Sequence, residues 1–229
     1  MSVPRTARAR ARAEITREIT DAARRQLAES GAPALSLRAI ARELGMVSSA
    51  LYRYFPSRDE LLTALIIEAY NALGDTAERA VANAETPRAQ FLAASNAVRD
   101  WAIAHPHEYA LVYGSPVPGY HAPETTIGPA SRAPIAMLQI VHRAWEAGTL
   151  SVPGDALTPD LSAQSANIAA MIAPGLPEPA VARAFIALTQ LFGMVTFELF
   201  GQLDNSMDPA GPFVAYAMEA MADFIGLSA

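Results

Sequence analysis

The chain has 229 residues, of which 52 % are hydrophobic and 17 % charged, with no cysteine and a formal net charge of −6. This is the composition of a globular protein of one large or two modest domains, and it excludes disulfides and thiolate metal sites. No apolar run approaches the roughly 18 residues of a membrane span, and the basic N-terminus MSVPRTARARARAE lacks the apolar core of a secretory signal, so a cytoplasmic protein without membrane contact is expected.

The charge is unevenly placed. Residues 1–58 carry eleven arginines against five acids, whereas residues 59–229 carry six against eighteen. A basic front on an acidic body is the asymmetry of a nucleic-acid module joined to a different kind of domain.

In chain order the pattern is helical throughout. After a basic arm expected to be flexible over residues 1–14, with Arg5, Arg8, Arg10 and Arg12, the residues Ile15, Ile19, Ala22, Ala23 and Leu27 recur at helical spacing up to Ser30-Gly31. Ser36 is placed to cap a short helix from Leu37 to Leu44, stopped by Gly45. A third short helix spans about 48–55 and ends at Pro56; Ser57 with Glu60 forms a capping box that opens a long fourth helix. Thr86-Pro87 opens a helix through Trp101 to Ala104, His105-Pro106 interrupts it, and EYALVY makes a short helical piece. The Pro- and Gly-rich stretch 114–124 reads as loop. Helices follow over about 129–147, 161–172, 178–200 and 209–224, with no strand and no internal repeat.

Two short helices joined by a glycine turn suit DNA geometrically: the first braces against the backbone while the second enters the major groove. Ala39, Ile40, Leu44, Ala50 and Leu51 would face inward, leaving Ser48, Ser49 and Tyr52 outward for base edges. Arg38, Arg53, Tyr54 and Arg58 are placed for phosphates, and the hydroxyl of Ser36 lies beside them.

The stretch LSLRAIARELGMVSSALYRYFPSRDELL resembles the DNA-binding signature of the TetR family of transcriptional regulators, over about residues 15–65. The resemblance implies an all-α homodimer: a three-helix head over residues 15–58 on a palindromic operator, and a helical body over 59–229 that binds a small effector and forms the dimer. It puts Ser48, Ser49 and Tyr52 at base-reading positions, and Arg38, Tyr54 and Arg58 at phosphates. One departure stands out. Val47 occupies a position that often holds a capping Ser or Thr, so either Ser48 caps the reading helix or that helix starts uncapped, at a cost of roughly 1 kcal/mol. The division of labour expected is Ser48 as cap and Ser49 as reader.

In the body, WAIAHPHEYALVYG resembles the C-terminal class named for its Trp, His and Gly positions. Trp101 and His105 share a helical face, and with Tyr109, Tyr113, Met137, His142 and Phe192 they form the expected lining of a pocket for an apolar or aromatic effector. Asn96, Gln164 and Asn167 interrupt apolar faces and would need partners if buried. In the last two helices the stripes Phe185, Leu188, Phe192, Val195, Leu199 and Val214, Met218, Met221, Ile225 are the expected dimer interface, with Gly193 admitting a second backbone. The sequence lacks an HExxH pair, a G-x-S-x-G elbow and a P-loop. Neither enzyme activity nor a cofactor or metal is therefore expected. The reading is a ligand-responsive repressor; the alternative is a helical DNA-binding protein without an effector.

Overall fold

The computed structural model describes residues 7–152, 154 and 156–227. Ten α-helices order these residues: α1 (Ala7–Ser30), α2 (Leu37–Glu43), α3 (Ser48–Leu51), α4 (Arg58–Ala82), α5 (Pro87–Ala104), α6 (Pro106–Tyr113), α7 (Ile127–Glu146), α8 (Pro159–Ile172), α9 (Glu178–Leu199) and α10 (Ala210–Ile225). Short 3-10 turns lie at Ala32–Ala34 and Glu124–Thr126. An isolated bridge pairs Leu150 with Leu227.

Local chemistry sets most of these boundaries. The hydroxyls of Ser36, Thr86 and Thr158 accept from the backbone N–H three residues on and cap α2, α5 and α8. Ser57 accepts from Glu60 N at 3.1 Å at the start of α4. Helix α1 departs from expectation. It begins at Ala7, so Arg8, Arg10 and Arg12 belong to a helix and not to a flexible arm, while Arg5 lies outside the described residues. Alternating Ala and Arg, both strong helix formers, explain the extension. Helix α3 is shorter than expected: after Leu51 it tightens into a turn, with Tyr54 N donating to Leu51 O at 2.8 Å. Pro56 then stops the turn, because it disfavours helical geometry at Phe55 before it.

The chain forms two compact units, one of residues up to Ala69 with His107–Ile127, the other of Tyr70–Pro106 with Gly128 onward. The expected boundary at residue 58 falls at the start of α4, whereas the units part inside α4, at Ala69. In the first unit α1 packs on α2 and α2 on α3, around Ile19, Ala22, Leu27, Ile40, Leu51 and Leu62, all buried. Tyr109 of α6 is fully buried there, and Tyr120 hydrogen-bonds Thr63 at 2.8 Å. Arg24 ties α1 to Glu68 of α4 at 2.5 Å and reaches Glu108 of α6 at 3.9 Å. Burial raises the Glu68 pKa from its ordinary 4.5, and Arg24 opposes the rise.

In the second unit α9 packs against α5, α8 and α10, and α5 also packs against α10. Arginines staple the helices. Arg132 of α7 grips Asp75 and Glu78 of α4, Arg99 of α5 pairs with Glu198 of α9, and Arg88 reaches Glu219 and Asp223 of α10, each at 2.6 Å. Helix α9 corrects one expectation: over Glu178–Leu199 it is long and apolar enough to cross a membrane by length and composition. Here it is a packing helix, with Val181, Ala187, Leu191 and Val195 buried.

Candidate nucleic-acid interface

The first unit builds its outward face from the turn between α2 and α3. Gly45 adopts φ +65°, a left-handed conformation that glycine takes without steric cost, and Met46 N then closes the turn onto Ala41 O at 2.8 Å. Burial of Ile40, Ala41 and Leu51 fixes the rotation of both helices. Val47, Ser48, Ser49, Tyr52 and Arg53 are consequently left exposed, as is Arg38 on α2.

Val47 is the N-cap of α3 and supplies no side-chain hydrogen bond. The expectation that Ser48 caps the helix is therefore corrected: it is the first helical residue, and α3 starts without a side-chain cap. Both serines stay available for contact.

The phosphate candidates behave unequally. Ser36, Arg38, Tyr52 and Arg58 converge on one open depression of about 360 Å³, which Ser57 also borders. Arg58 reaches it already engaged, donating from Nη2 to the carbonyls of Ala32 at 2.8 Å and Pro33 at 3.5 Å. It thereby braces the connection before α2, and its guanidinium retains further donors. Tyr54 is half-buried beneath Arg12, whose guanidinium lies 5.1 Å from the ring centroid and donates to Arg53 O at 3.4 Å. Arg12 is the residue that sequence reasoning misplaced: assigned to a loose arm, it anchors α1 to the end of the reading helix. The uninterrupted Ala/Arg run was the available signal.

The expected effector residues divide between the two units, Tyr109 and Tyr113 in the first and Trp101, His105, Met137, His142 and Phe192 in the second. Trp101 and Met137 of the second unit are buried in packing, and Phe192 is half-buried. His105 stacks on Trp101 with centroids 5.1 Å apart, and both its ring Nδ1 and its backbone N–H meet Trp101 O at 2.9 Å. The pair terminates α5. His142 Nε2 lies 3.0 Å from Pro174 O. In the first unit, Tyr109 and the half-buried Tyr113 are ring neighbours at 5.1 Å. None of the seven lines the apolar cleft of about 490 Å³ that the second unit opens between α8 and α9. Asn96, Gln164 and Asn167 are exposed and need no buried partner.

The expected dimer stripes also need correction. Val195, Val214, Met218 and Ile225 are buried inside the protomer, and Leu188, Phe192, Leu199 and Met221 are half-buried; Phe185 alone of the nine is exposed. The exposed face of α9 is instead Ile186, Thr189, Gly193, Phe197 and Phe200, rotated by roughly a quarter turn around the helix. A Cβ on Gly193 would meet nothing within 4 Å. On α10, Tyr216 is 75 % exposed.

Comparison with known proteins agrees with this geometry. Residues 19–65 match the family model described as bacterial regulatory proteins, tetR family, and residues 91–221 match the one described as tetracyclin repressor-like, C-terminal domain. The chain is 40 % identical over 210 residues, 90 % of each chain, to the HTH-type transcriptional regulators Rv1816 of Mycobacterium tuberculosis and Mb1846 of Mycobacterium bovis. Among solved structures it is similar to the regulatory protein SCO4313, at 33 % identity and a TM-score of 0.75, covering 97 % of this chain and 98 % of that one. A TetR variant from Acinetobacter baumannii solved with minocycline shares the fold at 18 % identity and a TM-score of 0.51, over 92 % and 97 % of the two chains.

Proposed function

Because this chain belongs to the TetR family of bacterial transcriptional regulators, we propose that it is a cytoplasmic, ligand-responsive repressor that binds a palindromic operator as a homodimer and is released by a small apolar effector. The observation that carries the DNA half is the depression where Ser36, Arg38, Tyr52 and Arg58 meet, directly beside the exposed Ser48 and Ser49. Serine and tyrosine hydroxyls suit base edges, and the arginines suit phosphates. Arg8, Arg10 and Arg12, now on a helix, extend the basic surface and add a salt-sensitive component to binding.

The homodimer forms through the exposed apolar face of α9 with Tyr216 of α10. Gly193, open on the protomer surface, lets the partner's backbone come close. Residues 101–114 carry the pattern of the class named for Trp101, His105 and Gly114, with His105 closing α5 and Gly114 following α6. A Cβ on Gly114 would lie 2.3 Å from Ala110 O at the end of α6. The effector works by binding more tightly to the conformation whose two heads no longer fit successive major grooves; a structural relative of the same fold was solved with minocycline bound.

Selection of bound duplexes from a random DNA pool by the full chain tests the proposal. The expected product is a palindrome whose half-sites lie about 10 bp or a multiple apart. A pool that enriches no sequence over several rounds would remove the regulator reading.

A further inference from the structure

We propose that Gln26, a half-buried residue of α1, is a positioning residue for operator binding: it completes the cap of α2 and so sets Ser36 and Arg38 for their phosphates. This rests on the regulator reading above. The Ser36 backbone N–H donates to Gln26 Oε1 at 3.0 Å, while the Ser36 hydroxyl accepts from Ala39 N at 3.4 Å. In a capping box both bonds form within one helix, because a Glu or Gln three residues after the cap reaches back to the cap N–H. Here that position is Ala39, which has no such group. The amide comes instead from α1, ten residues upstream.

Helix α2 depends on this bond more than a longer helix does. It has seven residues, fewer than two turns, and so short a helix needs support from outside itself. Burial of Leu37, Ile40 and Ala41 fixes its rotation; the cap fixes where its first turn begins. The Ser36 N–H lies between Leu35 and Leu37, which are 4 % and 6 % exposed, so losing the amide leaves a donor without a good substitute. Arg58 holds the earlier part of the same connection through the carbonyls of Ala32 and Pro33. The segment before α2 is thus tied to α1 by Gln26 and to α4 by Arg58.

The two ties differ in what they offer DNA. Arg58 lines the depression with Ser36, Arg38 and Tyr52 and keeps donors for a phosphate. Gln26 does not line it and carries no charge, so its effect passes through the residues it places. Phosphate contacts fix affinity and register without carrying sequence information. Loss of the Gln26 bond should therefore weaken binding to all sequences alike.

The test measures affinity of the full-length chain for the selected operator by fluorescence anisotropy over a salt titration. Gln26→Met keeps the length of the side chain and removes the acceptor. It should weaken binding about tenfold and lower the salt slope by about one, with base preference unchanged. A merely destabilised protein loses active fraction but keeps the wild-type slope. Ala39→Gln rebuilds the capping box within α2; alone it should bind as the wild type does, and added to Gln26→Met it should restore affinity and slope. Gln26→Asn, too short for the bond but equally polar, carries the test if Gln26→Met does not fold. The proposal is overturned by wild-type affinity in the Gln26 variants, by weakening at an unchanged slope, or by a double variant no better than Gln26→Met when Ala39→Gln alone binds normally. Any of these beside a wild type that selects an operator rejects the role of Gln26 and leaves the regulator; failure of the wild type to select DNA rejects the regulator.

Discussion

Val47 shows how much one side chain can alter at the reading face. It holds N-cap geometry at φ −70° and ψ 137° but gives α3 no side-chain acceptor. Val47→Thr should therefore raise stability by about 0.5–1 kcal/mol in denaturant unfolding, while Ser48→Ala should change it little. A marked loss in Ser48→Ala would restore Ser48 as the cap. The sequence exposed the missing hydroxyl at position 47 but left its consequence open, because a serine one residue on could have moved the helix start. Arginine was less legible still. Arg58 and Arg12 read as phosphate contact and loose arm, yet one braces the carbonyls of Ala32 and Pro33 and the other covers Tyr54. A guanidinium suits phosphate, carbonyl and ring face alike, so its partner follows from the path of the chain and not from residue type.

The helices themselves were legible wherever a cap or breaker marked them. Ser36, Thr86, Pro56 and Gly45 each fix a boundary through local chemistry that short-range pattern reveals. Gly45 is the sharpest case, since the turn needs its φ of +65° while a Cβ there would meet nothing within 4 Å. Gly45→Ala should thus cost about 1–2 kcal/mol from backbone strain alone, read as a lower unfolding midpoint; an unchanged midpoint would contradict the left-handed turn. Helix α9 was legible as a helix but not in its facing. Apolar residues surround it, so periodicity could not tell which side the neighbouring helices cover, and Val195 of the chosen stripe turned out to be buried within its own protomer. The Trp101–His105 pairing was legible from its four-residue spacing, but not that His105 would close α5 on the Trp101 carbonyl.

Across the whole chain, a net charge of −6 averages a basic stretch over residues 1–58 with an acidic one over 59–229, and the distribution rather than the total pointed to DNA. The dimer proposal makes a paired prediction at this scale. Phe197 is 53 % exposed and Val195 fully buried. Phe197→Arg should leave the protomer folded, with a change of about 0.5 kcal/mol or less, yet sediment as a monomer; Val195→Arg should unfold the second unit. A Phe197→Arg chain that stays dimeric would move the interface elsewhere. The account's central claim is that the face carrying Ser48, Ser49 and Tyr52 reads DNA. Its most direct test is the affinity of wild type and Tyr52→Ala for the selected operator, measured by fluorescence anisotropy at fixed salt. Loss of about tenfold or more, with the dimer intact by sedimentation, is the predicted result; equal affinity of the two chains would contradict it.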